Sequence, residues 1–324
     1  TPIKSSAASD VYKRQILGDW GLPQPDENMT TVLEGLRQIS PSTSFHYFDV
    51  GWKIRKMEPE KVKEAGLLAR KMDAAIVVVG ENSMREEWME KTCGENMDRS
   101  DINLPGLQEE LVEEVYKAGI PVIVVLVNGR QLGVEWIADH VSALVEAWEP
   151  GSLGGQAVAE VLYGKVNPSG KLPVTVPRHV GQIQCVYNQK SANTWFPYAL
   201  GNSDPLFCFG YGLSYTQFKY EALSINRTTM QPADTARLSI NVTNAGNMDG
   251  DEVVQLYIRD DYSSATRPLK ELKDFKRIHL KKGETQTVSF DITPEMLSYY
   301  DANMQYGVEK GTFTIMVGLS LIHI

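Results

Sequence analysis

The chain has 324 residues, a formal net charge of −9 and 42% hydrophobic residues, enough for about two domains with cores of their own. An acidic surface repels a phosphate backbone, which excludes nucleic acid as a partner. No apolar run is long enough to give a membrane span. Cys93, Cys185 and Cys208 are odd in number and lack a CxxC spacing. None of His46, His140, His179 and His279 is spaced as a metal ligand. Neither a disulfide framework nor a metal or cofactor is therefore expected.

Both termini need separate treatment. Ser5-Ser6-Ala7-Ala8-Ser9-Asp10-Val11-Tyr12-Lys13-Arg14-Gln15 resembles the translation of a sequencing-library adapter, and Leu319-Ser320-Leu321-Ile322-His323-Ile324 reads as its reverse complement. Residues 1–15 and 319–324 are accordingly set aside from fold reasoning as scars, and the remainder, 16–318, is expected to be a fragment of a longer gene.

From residue 16 to 177, apolar runs alternate with amphipathic segments: helix 61–72, strand 74–79, helix 107–118, strand 121–127, helix 132–140 and strand 143–148. Strands of unbroken hydrophobicity separated by such helices predict an α/β domain with a mainly parallel sheet covered on both faces. In helix 107–118, Leu107, Leu111, Val112, Val115 and Tyr116 form the apolar face, opposite a solvated face of Glu109, Glu110, Glu113 and Glu114. Gly151-Ser152-Leu153-Gly154-Gly155 opens a further helix at 156–163. It lacks the flanking residues of a nucleotide loop, so its glycines are expected to serve close helix–strand packing.

Residues 178–215 read as an irregular, aromatic-rich linker. Beyond 216 the period becomes two: Leu238, Ile240 and Val242, then Val254, Leu256 and Ile258, then Val288, Phe290 and Ile292, then Phe313, Ile315 and Val317. Turn residues separate these runs, which predicts an all-β sandwich over 216–318.

The stretch from Gly80 to Pro105 leaves the end of a buried strand and carries seven carboxylates with no helical or strand pattern. Loops of that length are usually functional, and ligands of open α/β sheets bind beyond the carboxyl ends of the strands. A carboxylate-dependent catalytic site is the reading this supports. Glu86, Glu87 and Glu90 read as a solvated run.

Three segments resemble glycoside hydrolase family 3: Asn167-Pro168-Ser169-Gly170-Lys171-Leu172-Pro173-Val174-Thr175-Val176-Pro177, then Phe209-Gly210-Tyr211-Gly212-Leu213-Ser214-Tyr215, and Gly94-Glu95-Asn96-Met97-Asp98-Arg99-Ser100-Asp101. The resemblance implies an α/β sandwich domain followed by a fibronectin type III-like domain, with the family's preceding catalytic barrel missing. It implies a retaining exo-β-glycosidase acting on oligosaccharides or β-glycosides, in the periplasm or secreted, with its nucleophilic Asp on the barrel. By motif match Glu95 is the acid/base, with Glu81 the other candidate for that role. Trp20 resembles an aromatic that stacks on a sugar, with packing at a domain edge the alternative. Arg99 is a substrate-site candidate that reads more simply as an internal partner of Asp101, positioning Glu95. The reading from a different class is a non-catalytic carbohydrate-binding or surface-interaction protein. The fragment alone is expected to be inactive.

Overall fold

The computed structural model describes residues 3–6, 13–22, 24–51, 53–190, 198–199 and 201–318. Residues 7–12 and the trailing segment 319–324 of the adapter-like ends, and Trp195 of the expected linker, lie outside the described residues. The chain divides into two compact units, Thr1–Val166 with Pro177–Ile183, and Asn167–Val176 with Gln184–Ile324.

In the first unit, the elements run β1 (Ile3–Ser6), α1 (Val32–Ile39), β2 (Phe45–Tyr47), α2 (Pro59–Ala69), β3 (Ala74–Gly80), α3 (Gln108–Tyr116), β4 (Val122–Val127), α4 (Glu135–His140), β5 (Ala143–Glu146) and α5 (Gly154–Leu162). The five strands form one parallel sheet in the order β2-β1-β3-β4-β5. β3 and β4 are buried on both faces, which is why their sequences are unbroken runs of valine and isoleucine. Ile76, Val78, Val125 and Val127 pack on Val32 and Leu36 of α1 and Val158 and Ala159 of α5. Gln108, Leu111, Val112 and Val115 are the buried residues of α3; of the expected apolar face Tyr116 is exposed, and of the expected solvated face only Glu110 is fully exposed, with Glu109, Glu113 and Glu114 half-buried.

Ile3–Ser6 were set aside as part of an adapter-like segment, yet they hold the position between β2 and β3, paired with both. The physical reason is that parallel pairing satisfies backbone N–H and C=O groups and asks little of side-chain identity.

Helix α1 begins with a capping box. Thr31 Oγ1 accepts from the Glu34 N–H at 3.2 Å, and the Glu34 carboxylate accepts from the Thr31 N–H at 2.8 Å. Of the glycines that open α5, Gly155 serves a helix–helix contact and not the helix–strand contact expected from sequence. A Cβ on Gly155 would lie 2.0 Å from the Thr31 carbonyl oxygen, and one on Gly35 would lie 2.3 Å from the Gly155 carbonyl oxygen. The two backbones meet with no room for a methyl group.

The second unit packs two antiparallel three-stranded sheets. One has the order β10-β7-β6 and the other β13-β8-β9, from β6 (Phe218–Ile225), β7 (Ala236–Asn244), β8 (Gly250–Asp260), β9 (Glu271–Leu280), β10 (Thr285–Ile292) and β13 (Phe313–Gly318). A short helix, α6 (Pro294–Leu297), and a two-stranded ribbon, β11 (Tyr299–Tyr300) with β12 (Tyr306–Gly307), join β10 to β13. The alternating residues read from sequence do meet in one core, where Leu238, Ile240 and Val242 of β7 and Val288, Phe290 and Ile292 of the adjacent β10 pack against Val254, Leu256 and Ile258 of β8 in the other sheet.

The expected linker, 178–215, is divided between the two units. Pro177–Ile183 belong to the first unit, whereas residues from Gln184 onward belong to the second together with Asn167–Val176. The cause is backbone pairing between the two motif segments. The Leu172 N–H donates to the Tyr211 carbonyl and the Gly210 N–H to the Leu172 carbonyl, both at 2.8 Å. Lys171 Nζ donates to the Gly212 carbonyl at 2.8 Å and pairs with the buried Glu252 carboxylate at 3.2 Å.

Because the α1–α5 contact is backbone on backbone, neither helix can yield by rotating a side chain. Gly155→Ala is expected to lower the unfolding free energy by about 1–3 kcal/mol, measured by urea denaturation. Gly170→Ala, where a Cβ meets nothing within 4 Å, is expected to change it by less than about 0.5 kcal/mol.

Candidate active site

The site is built at the carboxyl ends of β3, β4 and β5, all within the first unit. β3 ends at Gly80, and the fully buried Gln108 side chain acts as its next partner strand. The Gly80 N–H donates to Gln108 Oε1 at 2.8 Å, while Gln108 Nε2 donates to the Gly80 carbonyl at 2.7 Å and the Pro105 carbonyl at 2.9 Å. One amide thus fixes where the loop leaves the strand and where it rejoins α3.

Between those points the chain is ordered by polar contacts in place of regular structure. Asn82, wholly buried, closes an inner excursion: its N–H donates to Thr92 Oγ1 at 2.8 Å, and its carbonyl accepts from the Thr92 N–H at 2.8 Å. A 3-10 turn, Arg85–Glu90, fills that excursion. Glu90, expected on a solvated face, is instead buried, and its carboxylate accepts from Lys56 Nζ at 3.0 Å. That bond holds its pKa below the ordinary carboxylate range. The sequence run of acids hid this because the partner lies 34 positions away.

Glu81 follows β3 directly, with its carboxylate removed from solvent. Oε1 pairs with Arg99 Nη1 at 3.0 Å, and Oε2 lies 3.4 Å from Arg130 Nε. Burial raises the Glu81 pKa, and the two guanidiniums only partly oppose it. Arg99 also holds Asp101 at 2.9 Å and the Asn103 carbonyl at 2.5 Å, so Arg99 and Asp101 do pair with each other. Arg130, which sequence reasoning missed, additionally donates to the Met97 carbonyl at 2.9 Å. Arg99 and Glu81 are therefore bonded to the loop and to one another, whereas both were candidates for touching substrate.

Glu95 sits on the exposed tip between these braces. Gly94 has φ +90° and Asn96 φ +57°, left-handed conformations that turn the chain sharply on either side of it. The Met97 N–H closes the turn on the Gly94 carbonyl at 3.2 Å. Beneath it, Asp19 Oδ2 accepts from the Glu95 N–H at 2.7 Å. Trp20, adjacent to Asp19, is 76% exposed, so the structure brings Trp20 and Glu95 to the same region through Asp19.

Two further carboxylates lie among these groups, and neither was singled out from sequence. Glu149 Oε1 accepts from Ser83 Oγ at 2.7 Å, and its other oxygen lies where a Cβ on Gly18 would fall. Glu146, at the end of β5, accepts from the Trp148 N–H at 2.9 Å and from Asn128 Nδ2 at 3.3 Å. Burial pushes Glu146 up to about 7, with the Glu81 charge adding to the rise. Cys93, buried beside Glu81 and Glu149, is pushed up to about 12 and is an inert thiol. Among the described residues no group of histidine, cysteine and carboxylate side chains could hold a metal ion, and no helix is long and apolar enough to cross a membrane.

A carboxyl whose pKa is raised by folding stabilises the protonated folded state, and that contribution is lost as pH rises through the folded pKa. For Glu146 the window runs from about 4.5, its ordinary value, to about 7. Glu146→Gln keeps the shape and removes the titration. Its unfolding free energy, relative to the unsubstituted chain, is expected to rise by about 3 kcal/mol between pH 4 and pH 8, read from urea midpoints at each pH. A difference that stays flat across that range would show that Glu146 titrates normally.

The comparisons with known proteins fit this architecture. The family model described as glycosyl hydrolase family 3 C-terminal domain matches residues 3–215, and the fibronectin type III-like domain model matches 252–321. Among curated relatives, a β-xylosidase of Formosa agariphila is 43% identical over 96% of this chain, covering 42% of its own length. A periplasmic β-glucosidase of Salmonella typhimurium is 33% identical over 98% of this chain and 45% of its own length. A solved β-glucosidase from Listeria innocua in complex with glucose aligns with a TM-score of 0.89 at 29% identity, over 99% of this chain and 44% of that one. The chain thus spans less than half the length of the relatives it matches. With the family model covering well over half of its residues, the protein belongs to glycosyl hydrolase family 3.

Proposed function

We propose that this chain supplies the acid/base half of a retaining exo-β-glycosidase that releases terminal glucose-like or xylose-like residues from oligosaccharides and β-glycosides. The observation that carries the reading is the contrast between two carboxylates. Glu81 is buried and ion-paired, and Glu95 stands exposed on a tip braced from below by Asp19 and from the side by Arg130. An acid/base must reach the substrate, so the exposure of Glu95 favours it over the buried Glu81.

In the first step the Glu95 carboxyl gives its proton to the leaving glycosidic oxygen as a nucleophilic carboxylate bonds to the anomeric carbon. In the second, the Glu95 carboxylate takes a proton from water as that water breaks the glycosyl ester. In this reading the nucleophile lies on a barrel domain outside this chain, as the family resemblance implies, and the named relatives, more than twice as long as the part matched here, leave room for one. Trp20 offers a face for the sugar or aglycone on the leaving-group side. Arg99 acts by holding the loop.

The 324-residue chain alone is expected to release no aryl alcohol from aryl β-glucosides or β-xylosides above background. Turnover at ordinary enzymatic rates would place the nucleophile within this chain. In the full-length enzyme, Glu95→Ala is expected to cost about a thousandfold in kcat on unactivated disaccharides. It should cost far less on an activated aryl glycoside, with partial rescue by azide, which needs no general base. Glu81→Ala is expected to lose activity evenly across substrates and gain nothing from azide. Near-normal turnover of disaccharides by Glu95→Ala would remove it from the mechanism, and absence of any glycosidase activity in the full-length protein would favour the non-catalytic carbohydrate-binding reading.

A further inference from the structure

One ion pair in the first unit is withdrawn almost completely from solvent. Lys91 Nζ lies 3.0 Å from Asp19 Oδ2, with side-chain exposures of 0% and 3%. Removing an ammonium and a carboxylate from water is costly, and an apolar pair of the same volume would serve stability as well or better. The partners of the pair show what an apolar pair could not do. Asp19 Oδ2 also accepts from the Glu95 N–H at 2.7 Å, and Lys91 Nζ also donates to the Glu95 carbonyl at 3.3 Å. Both main-chain polar groups of a single residue are therefore bonded to the same pair of opposite charges.

The surrounding residues fit that arrangement. A Cβ on Gly94 would fall 2.7 Å from Asp19 Oδ2, so the carboxylate needs glycine immediately before Glu95, and the glycine is at φ +90°. On the far side, the Trp88 ring lies 4.8 Å from Lys91 Nζ, a cation–π contact that offsets part of the lost hydration. Asp19 precedes Trp20, so the aromatic and Glu95 are carried on one anchor.

We propose that Asp19 and Lys91 are positioning residues that grip Glu95 by its own peptide groups, setting its carboxyl from the backbone and coupling it to Trp20. The proposal rests on Glu95 being the acid/base. Neither Asp19 nor Lys91 needs to touch substrate; the pair removes the freedom of an exposed loop tip, which an acid/base must lack to act within hydrogen-bond reach.

The test uses Asp19→Asn combined with Lys91→Met, because Asp19→Asn alone strands a buried ammonium and can fail to fold. In the 324-residue chain, hydrogen exchange at the Glu95 amide is expected to accelerate by at least about tenfold in the double variant, with the amides of β3 and β4 unchanged. Unchanged protection at Glu95 overturns the grip whatever Glu95 does chemically. In the full-length enzyme, the double variant is expected to lose at least about tenfold in kcat on unactivated disaccharides with KM held within about twofold. It should keep most activity on an activated aryl glycoside and gain nothing from azide, because the Glu95 carboxylate still fills its place. Equal loss on both substrate types overturns the positioning role. If Glu95→Ala itself shows neither leaving-group dependence nor azide rescue, the acid/base assignment fails, and the exchange measurement still decides separately whether the grip exists.

Discussion

The loop that carries the site takes its shape from one carboxylate that never reaches solvent. β3 is buried to its last residue, so the position after it, Glu81, enters the crevice at the carboxyl end of the sheet with no water to receive its charge. An unpaired carboxylate there would cost several kcal/mol, and Arg99 and Arg130 offset that cost from two directions. Arg99 belongs to the returning limb of the loop and Arg130 to the segment after β4, so satisfying one charge also fixes where both segments lie. Burial still wins for Glu81, which remains raised in pKa despite two cationic partners. Such a network adds little net stability over apolar packing. Its effect is to select one conformation of a long segment that has almost no regular structure.

Hydrogen bonding within the loop follows the same logic. The Gln108 amide completes the end of β3, and the Asn82 amide spans the inner excursion by accepting from the Met84 N–H and donating to the Glu90 carbonyl, each side chain supplying backbone partners that a neighbouring strand would otherwise provide. Arg130 reaches the Met97 carbonyl just past the tip. The consequence is an exposed residue on a support bonded at several points, an arrangement that suits a loop carrying a functional group.

The strands β3 and β4 and the alternating strands of the second unit were legible in the sequence because burial on two faces or on one leaves a distinct period. Strand β2 and helix α1 were not read. β2 is only three residues long, and α1 announces itself by its capping box at Thr31 and Glu34 more than by its length. The acid-rich loop was read as a site from its length and position, and its tip from a motif. Its bracing was invisible, since Asp19 meets Glu95 across 76 positions and Glu149 meets Ser83 across 66. Local charge counting assigned Glu90 to solvent for the same reason: a run of acids states how many charges are present and not which of them finds a distant lysine. The capping-box pattern and the glycine–aspartate–tryptophan turn are both present in the sequence, but only the tryptophan has a chemistry that stands out without the fold.

Two of the segments that make the family recognisable and the third, which carries the proposed chemistry, answer to different physical demands. Residues 167–177 and 209–215 pair backbone to backbone, and a Cβ on Gly212 would lie 2.1 Å from the Gly170 carbonyl oxygen. Asn167 completes the contact by accepting from Ser214 Oγ and the Tyr215 N–H through one oxygen. Contacts of that kind admit few residue types, because no side chain can move to make room. The loop around Glu95 is held by ion pairs and side-chain amides, whose geometry can be met from several positions along a chain. A packing motif is therefore easy to read and chemically silent, while the site itself is written in charges whose pairing only the fold reveals.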